Sequence, residues 1–388
     1  MKVYINRAEL KKKLEKKLSA EEQELARSDF HAWRTKCVTM FPIISGKDCP
    51  FACTYCYIQS MGFQFKKPEP LRLSGEQVCY ALLENKEFIP GQHGTPLAFG
   101  HISEPLLPEL VDNTLEYFKA ISTYLGNPIQ FSTKMKITPD LAKKIKGSLK
   151  HKLVSPLVTI TTLTHARKLE PEAPSPEDRL KSITNLSKAG YTVFLYLRPL
   201  IPGVIEPEME ELLKSAKKAG ATGVVGGGFR LTLPILNTMK KAGIDVSEIA
   251  NRIPKIDDKQ RYIYTKDLEE KFIQVATKNK LVALRSTKCA LAYAADMPCT
   301  SLYWVYNKDM CTKCKPCAEQ APKIKKSEID SILKEVFPND EVNAFHEQAD
   351  HIEIKVKLKE KTGQKGDFWQ PRVLETYFRK RVVLQHIS

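Results

Sequence analysis

The chain has 388 residues, of which 42% are hydrophobic and 27% charged, as in a soluble globular protein with one large domain and smaller additions. Its longest apolar runs are too short to span a bilayer and its first residues lack a secretory signal, so we expect a cytoplasmic rather than a membrane-spanning protein. The net charge of +16 favours contact with a polyanion such as RNA or DNA, and a lysine-rich solvated surface of a thermophilic protein is the alternative.

The first predicted element is a strongly charged helix over residues 8–27. Leu10, Leu14 and Leu18 recur at a spacing of four and form one narrow apolar stripe. We expect this helix to dock on the main domain as a lid, and a phosphate-contacting arm is the less favoured alternative.

From about residue 37, short β-type runs alternate with amphipathic segments. The helical segments lie near 73–87, 108–123, 139–148, 176–189 and 207–219, and Ser, Thr, Pro and Gly mark several of their ends. Six β-α units in sequence imply a parallel sheet with right-handed crossovers. The candidate strands are Val38–Ile44, Leu97–Phe99, Ile129–Thr133, Leu157–Thr161, Thr192–Leu197 and Gly223–Val225.

Three cysteines follow the first predicted strand. Cys49, Cys53 and Cys56 have the spacing C-x3-C-x2-C, with Tyr55 just before the last. A [4Fe-4S] cluster is usually held by four thiolates, so three would leave one iron open to another ligand. A zinc site, a disulfide or a chance arrangement are the alternatives, although zinc motifs favour paired C-x2-C units or a histidine pair.

After about residue 245 the pattern changes. A helix near 266–278 and the run Leu281–Leu284 lead into a second set of cysteines: Cys289, Cys299, Cys311, Cys314 and Cys317. Their spacing resembles a ferredoxin ligand pattern and favours a second [4Fe-4S] cluster on Cys299, Cys311, Cys314 and Cys317, with Cys289 as a substitute or extra ligand. A zinc ion bound by the same four thiolates is the alternative.

The last segment contains a helix around Ile329–Val336 and an alternating run from Ile352 that indicates a strand with one buried face. Basic residues and aromatic residues then alternate along the tail, which suits a surface that tracks a nucleic-acid backbone and stacks on bases. A small α+β subdomain that packs those aromatics inward is equally compatible. The residues in question are Lys359, Lys361, Lys365, Phe368, Trp369, Arg372, Tyr377, Phe378, Arg379, Lys380 and Arg381.

The cysteine motif resembles the signature of the radical S-adenosylmethionine (SAM) superfamily, and two further stretches resemble its spore photoproduct lyase-like branch. These are Leu-Glu-Pro-Glu-Ala-Pro-Ser-Pro-Glu-Asp-Arg-Leu at 169–180 and Arg-Pro-Leu-Ile-Pro-Gly at 198–203. The resemblance covers roughly residues 40–230. It implies an open partial (β/α)6 barrel, a cluster whose open iron binds SAM, and reductive cleavage of SAM to a 5′-deoxyadenosyl radical. The resulting organisation is an N-terminal helix (1–36), the barrel (37–245), a cysteine-rich region (246–326) and a basic α+β tail (327–388).

The resemblance also assigns site residues. Cys49, Cys53 and Cys56 match the cluster ligands, and Tyr55 matches an aromatic beside the adenine. Other residues at strand ends match positions near the amino and carboxylate groups of SAM, namely Ser103, Glu104, Lys134, Thr161 (or its neighbour Thr159) and Arg198. Arginine at such a site suits a carboxylate because its guanidinium binds in a bidentate manner.

Two positions bear on the reaction. Tyr57 matches the branch's radical-relay tyrosine, whereas His101 occupies the place of the hydrogen-donating cysteine of the repair enzymes, and imidazole is a poor hydrogen-atom donor. We therefore expect a radical SAM enzyme that is not spore photoproduct lyase itself. Its expected substrate is a macromolecule, favouring nucleic acid over a peptide or protein, and its expected partner is an electron donor such as ferredoxin or flavodoxin.

Overall fold

The computed structural model describes residues 3–34, 40–62, 64–253, 255–314, 316–317, 319–349, 351–357 and 369–387. The strands are β1 (Phe41–Ile43), β2 (Gly46–Lys47), β3 (Glu69–Pro70), β4 (Leu97–Phe99), β5 (Ile129–Thr133), β6 (Val154–Thr159), β7 (Phe194–Leu197), β8 (Gly223–Gly226), β9 (Arg230–Leu231), β10 (Arg261–Tyr262), β11 (Val282–Leu284), β12 (Glu341–Glu347), β13 (His351–Lys357) and β14 (Arg381–His386).

The helices surround and cap these strands. In chain order they are α1 (Arg7–Glu15), α2 (Ala20–Ser28), α3 (Phe30–Trp33), α4 (Gly75–Glu84), α5 (Val111–Ala120), α6 (Pro139–Ser148), α7 (Ala166–Leu169), α8 (Pro176–Lys188), α9 (Met209–Lys218), α10 (Leu233–Lys241), α11 (Ser247–Asn251), α12 (Lys266–Lys278), α13 (Thr287–Ala294), α14 (Tyr303–Tyr306), α15 (Lys326–Val336) and α16 (Trp369–Phe378). None of the described helices is both long and apolar enough to cross a membrane.

The main sheet has seven parallel strands in the order β1-β4-β5-β6-β7-β8-β11. This confirms the α/β class and the open partial barrel. The sequence predicts six of these strands, although residues 38 and 39 of the first predicted run lie outside the described residues. The seventh strand, β11, extends the sheet beyond residue 245, the predicted end of the barrel.

The two faces of the sheet pack against different partners, because successive residues of a strand point to opposite faces. Val158, Leu195 and Val224 belong to the large core between the sheet and the outer helices. Leu157 and Phe194, one residue earlier in their strands, pack on the other face with side chains of α13 and the second cysteine set. Helix α13 therefore fills part of the inner face of the barrel.

Several helix boundaries follow from local signals. Ser74 and Gln77 form a reciprocal capping box at the start of α4. Thr138 and Ser175 each accept a backbone hydrogen bond at the start of α6 and α8, and proline occupies the first turn of both helices. These ends lie where the sequence predicts them.

The N-terminal segment docks on the barrel, but as two helices instead of the one predicted. Ser19 interrupts the predicted helix because its side chain caps α2 in a capping box with Glu22. Leu14 and Leu18 are buried in the main core, and both α1 and α2 contact α4. The prediction of an apolar stripe is thus correct, whereas the prediction of one continuous helix is wrong.

The C-terminal segment forms a small α+β subdomain. Its sheet has the order β12-β13-β14, and the alternating run buries Ile352, Ile354 and Val356, as predicted. Tyr377 and Phe378 are also buried in this subdomain's core, so these tail aromatics pack inward and do not form a stacking surface. Of the other tail residues, Lys359, Lys361, Lys365 and Phe368 lie outside the described residues.

Candidate active site

The first cysteine loop lies after β1, at the carboxyl ends of the parallel strands, where such folds place their sites. Cys53 is buried, and Cys49 and Cys56 are partly exposed. Two hydrogen bonds hold the start of the loop: Gln64 N donates to Asp48 Oδ1 at 2.7 Å, and Cys49 N donates to Gln64 O at 3.2 Å. The three thiols thus share one short, well-held loop.

Ser103 and Glu104, predicted near the cofactor, lie beside this loop and are buried. Ser103 Oγ donates to Gly46 O at 2.8 Å. Glu104 accepts hydrogen bonds from Thr133 Oγ1 at 2.7 Å and from Lys134 N at 2.8 Å. Both side chains therefore join neighbouring strand ends, and a direct contact with SAM stays a prediction.

A single buried carboxylate organises the other side of the loop. Glu170 accepts hydrogen bonds from the hydroxyl of Tyr55, from Thr161 Oγ1 at 3.0 Å and from the guanidinium of Arg179. Lys134 Nζ lies 3.9 Å from the same carboxylate and 5.6 Å from the centroid of the Tyr55 ring. Three predicted cofactor residues thus meet at Glu170, which the sequence analysis quotes within a motif without giving it a role.

The charges of this network are strongly coupled. Burial disfavours the charge of Glu170, but Arg179 and Lys134 outweigh it and hold the pKa of the carboxyl below its usual value. Burial also opposes the charge of Lys134, yet Cys53 and Glu170 beside it raise the lysine pKa. The site therefore keeps a fixed ammonium next to the cysteine loop.

The thiols themselves fit a metal cluster. Burial raises the pKa of Cys49 to about 11 and that of Cys53 to about 12. Such thiols hold their protons unless positive charge compensates the thiolates, and bound iron supplies that charge. Three cysteines on one loop beside Lys134 are thus a suitable ligand set for a cluster with one open iron.

Tyr57 and His101 lie together at the mouth of the barrel. The Tyr57 hydroxyl donates to His101 O at 3.2 Å. The His101 side chain is exposed to the mouth. Even so, the surrounding protein removes water from the ring, and this desolvation lowers the pKa of His101 to about 4 together with the positive charges of Arg198, Lys288 and Arg34. The imidazole is therefore neutral near pH 7.

Basic and aromatic side chains that the sequence analysis did not select complete this mouth. The guanidinium of Arg230 lies 5.7 Å from the Tyr57 ring centroid and 4.8 Å from that of Tyr262. Arg198 follows β7, and its charge interaction with the nearby Tyr196 raises the pKa of the guanidinium. The hairpin of β9 and β10, which carries Arg230 and Tyr262, has only two residues in each strand and leaves little signal in the sequence.

The structure also gathers the second cysteine set. Cys289 and Cys299 are buried with their sulfurs 4.0 Å apart, and Cys314 packs against the same buried group of side chains. Cys317 is buried among the same apolar side chains, whereas Cys311 is partly exposed. Within the described residues no three Cys, His, Asp or Glu side chains already surround one point as the ligands of an ion do, at this set or at the first.

The chain was compared with known proteins. Residues 43–216 match the family model of the Radical SAM superfamily. Spore photoproduct lyase complexed with dinucleoside spore photoproduct has a similar structure, with a TM-score of 0.51 and 17% identity over 64% of this chain and 76% of that one. A cysteine-to-alanine variant of the lyase gives a TM-score of 0.51 and 16% identity over the same shares. No curated protein sequence matches the chain.

At such identities the solved structures establish a shared fold, which agrees with the resemblance seen in the sequence. The family model covers the cysteine loop, the strand ends beside it and the Glu170 network. Fold, family model and ligand set agree, and together they identify residues 43–216 as a radical SAM domain.

Proposed function

We propose that this radical SAM enzyme modifies a nucleic acid bound at the mouth of its barrel. When bound, the [4Fe-4S] cluster and SAM supply a 5′-deoxyadenosyl radical that abstracts hydrogen from the substrate. Cys49, Cys53 and Cys56 would hold the cluster, and Lys134 would place its positive charge beside the carboxylate of SAM. An electron donor such as ferredoxin or flavodoxin would reduce the cluster.

The observation that carries the proposal is the cation–π group of Tyr57, Arg230 and Tyr262, in which Arg230 also donates a hydrogen bond to the Tyr262 hydroxyl. Tyr262 is 61% exposed, so a face of this group is open to a ligand. Aromatic rings with an interposed guanidinium bind unstacked bases, and the guanidinium also attracts phosphate. Tyr57 directly follows the cluster ligand Cys56, so a base held here would lie next to the cysteine loop.

The reaction is proposed to differ from photoproduct repair. His101 stands where the repair enzymes carry a hydrogen-donating cysteine, and its neutral imidazole is a poor source of a hydrogen atom. Tyr57, in contact with the His101 backbone, is the nearby side chain better suited to that transfer. A peptide substrate is the alternative, because an open barrel mouth admits a peptide loop as readily as a nucleotide.

Binding of a labelled single-stranded oligonucleotide, in DNA and RNA forms, tests the substrate class. Replacing Tyr262 with Ala should weaken binding about tenfold, since stacking of one base contributes about 1–3 kcal/mol. Arg230→Gln should also lower the slope of log affinity against log salt concentration by up to about one. Fluorescence anisotropy at several salt concentrations measures both effects.

Lys214→Gln is the matched control, because it removes one positive charge from the outer helix α9, where Lys214 pairs with Glu210 at 3.0 Å. Its affinity should equal that of the parent. If the Tyr262 and Arg230 variants also bind both oligonucleotides as the parent does at every salt concentration, the proposal fails and a peptide substrate is favoured.

A further inference from the structure

The second cysteine set lies on the inner face of the barrel and not at its periphery. Cys289, Cys299 and Cys317 pack with Leu157 of β6 and Phe194 of β7 in one buried cluster. We propose that Cys289, Cys299, Cys314 and Cys317 bind a single tetrahedral zinc ion, which fixes α13 to the segment 299–317. This inference is independent of the substrate proposed above.

The separation of the sulfurs points to a single ion. Zinc binds thiolates at about 2.3 Å in a tetrahedron, whose edges are then about 3.8 Å long. The Cys289 and Cys299 sulfurs already lie 4.0 Å apart. A four-iron cluster binds each thiolate through a different iron, which holds the sulfurs much farther apart.

The burial and contacts of the cysteines indicate which of them bind the ion. Cys289 is 5% exposed and its sulfur lies 4.0 Å from that of Cys299, while Cys317 is buried in the same group of side chains and Cys314 packs against it. Cys311 is partly exposed. The geometry therefore favours Cys289 over Cys311, although the spacing C-x2-C-x2-C includes Cys311 and suggested a second [4Fe-4S] cluster. Metal binding would draw the four thiols closer around one point.

The surroundings supply compensating charge. Four thiolates around a divalent ion leave about two negative charges, which are costly to bury alone. Arg379 is fully buried, and its charge interacts with Cys299. Lys288, next to Cys289 on α13, also acts on Cys299. The two cations would stabilise the negative charge of a metal–thiolate centre. Four neutral thiols would not need such charges beside them.

The ion would have a structural effect on the barrel. Tyr196 of β7, which interacts electrostatically with Arg198 at the mouth, packs against the same buried side chains as the cysteines. Fixing α13 and the segment 299–317 on the inner face would therefore hold Tyr196, and with it the end of β7 at the barrel mouth, in place. Zinc has no redox chemistry, so this role needs no electron.

Metal analysis of the purified full chain tests the assignment. The parent should hold about one zinc per chain in addition to its iron. Cys289→Ser should lose that zinc, whereas Cys311→Ser, the matched control, and Cys53→Ala, which disables the first site, should both keep it. Because Cys289→Ser can fail to fold, cobalt substitution in the parent provides a second measure: tetrahedral thiolate ligation gives intense visible absorption.

Three results would overturn the inference. The first is a parent without zinc that holds about eight irons and loses about four in Cys289→Ser, which is the result for a second cluster. The second is loss of zinc in Cys311→Ser to the same extent as in Cys289→Ser. The third is a Cys289–Cys299 disulfide in anaerobically purified protein, with no metal and no cobalt spectrum.

Discussion

Glu170 shows how one residue connects distant parts of the site. It lies 115 residues after Tyr55, yet it accepts a hydrogen bond from the Tyr55 hydroxyl and pairs with Arg179 nine residues further along. The chain order puts Tyr55 and Lys134 at the site, because both stand at or near strand ends. Their shared partner could not be derived from spacing, since the contact depends on how the loop before α8 folds back.

Replacing Arg179 with Met should destabilise the protein by about 3 kcal/mol or more, because it removes the cation that pairs with the buried Glu170 carboxylate and leaves only the more distant charge of Lys134. Denaturant unfolding under anaerobic conditions measures the loss. The double variant Glu170→Gln/Arg179→Met should recover part of it, since the buried charge is then absent.

Lys181→Met on the same helix is the control, because Lys181 is 68% exposed and pairs with Asp178 at the surface. It should change stability by less than about 1 kcal/mol. Equal effects of the Arg179 and Lys181 substitutions would show that the Glu170 network does not stabilise the fold.

At the scale of elements, local chemistry predicted the boundaries well where caps are strong. Thr138 and Ser175 mark the starts of α6 and α8 in both sequence and structure. The three residues of β11 are too few to show periodicity, so only pairing with β8 reveals that strand. In the N-terminal segment the helical pattern continues across Ser19, and the break is visible only from its cap.

Ser19→Ala should lower the free energy of unfolding by about 1 kcal/mol, because it removes the hydroxyl that accepts Glu22 N at 3.2 Å. Thermal unfolding of parent and variant measures this. Ser28→Ala at the other end of α2 is the control, since the Ser28 hydroxyl only donates to Leu25 O on the exposed surface. If both changes have the same effect, the capping box does not stabilise α2.

At the scale of the whole molecule, the C-terminal subdomain is an integral part of the fold. Arg379 Nη2 donates to His93 O at 2.8 Å, and Glu328 accepts the backbone N–H of Val3 at 2.9 Å. The positive charge of the sequence indicated a polyanion but not where it binds. In the structure Arg379 is buried, and we assign that role to the basic and aromatic residues at the barrel mouth, namely Tyr57, Arg230 and Tyr262.

His93, under this subdomain, is predicted to make the stability of the whole molecule depend on pH. Burial and the charge of Arg379 lower its pKa to about 4, below the value of about 6.5 expected in the unfolded chain. The folded state therefore binds fewer protons than the unfolded state between about pH 6.5 and pH 4. Stability is complete above that range and falls as the pH decreases through it.

At about pH 5 this shift corresponds to a loss of up to about 2 kcal/mol relative to neutral pH. Urea unfolding at about pH 7.5 and about pH 5 should therefore show a smaller loss for His93→Gln than for the parent. His346→Gln, which alters an exposed histidine of β12, should keep the parent's dependence. Buried His31, whose pKa burial also lowers, contributes in the same direction in all three proteins, so the difference between parent and His93→Gln isolates the subdomain contact. An equal loss in His93→Gln and parent would mean that protonation at this contact does not weaken the fold.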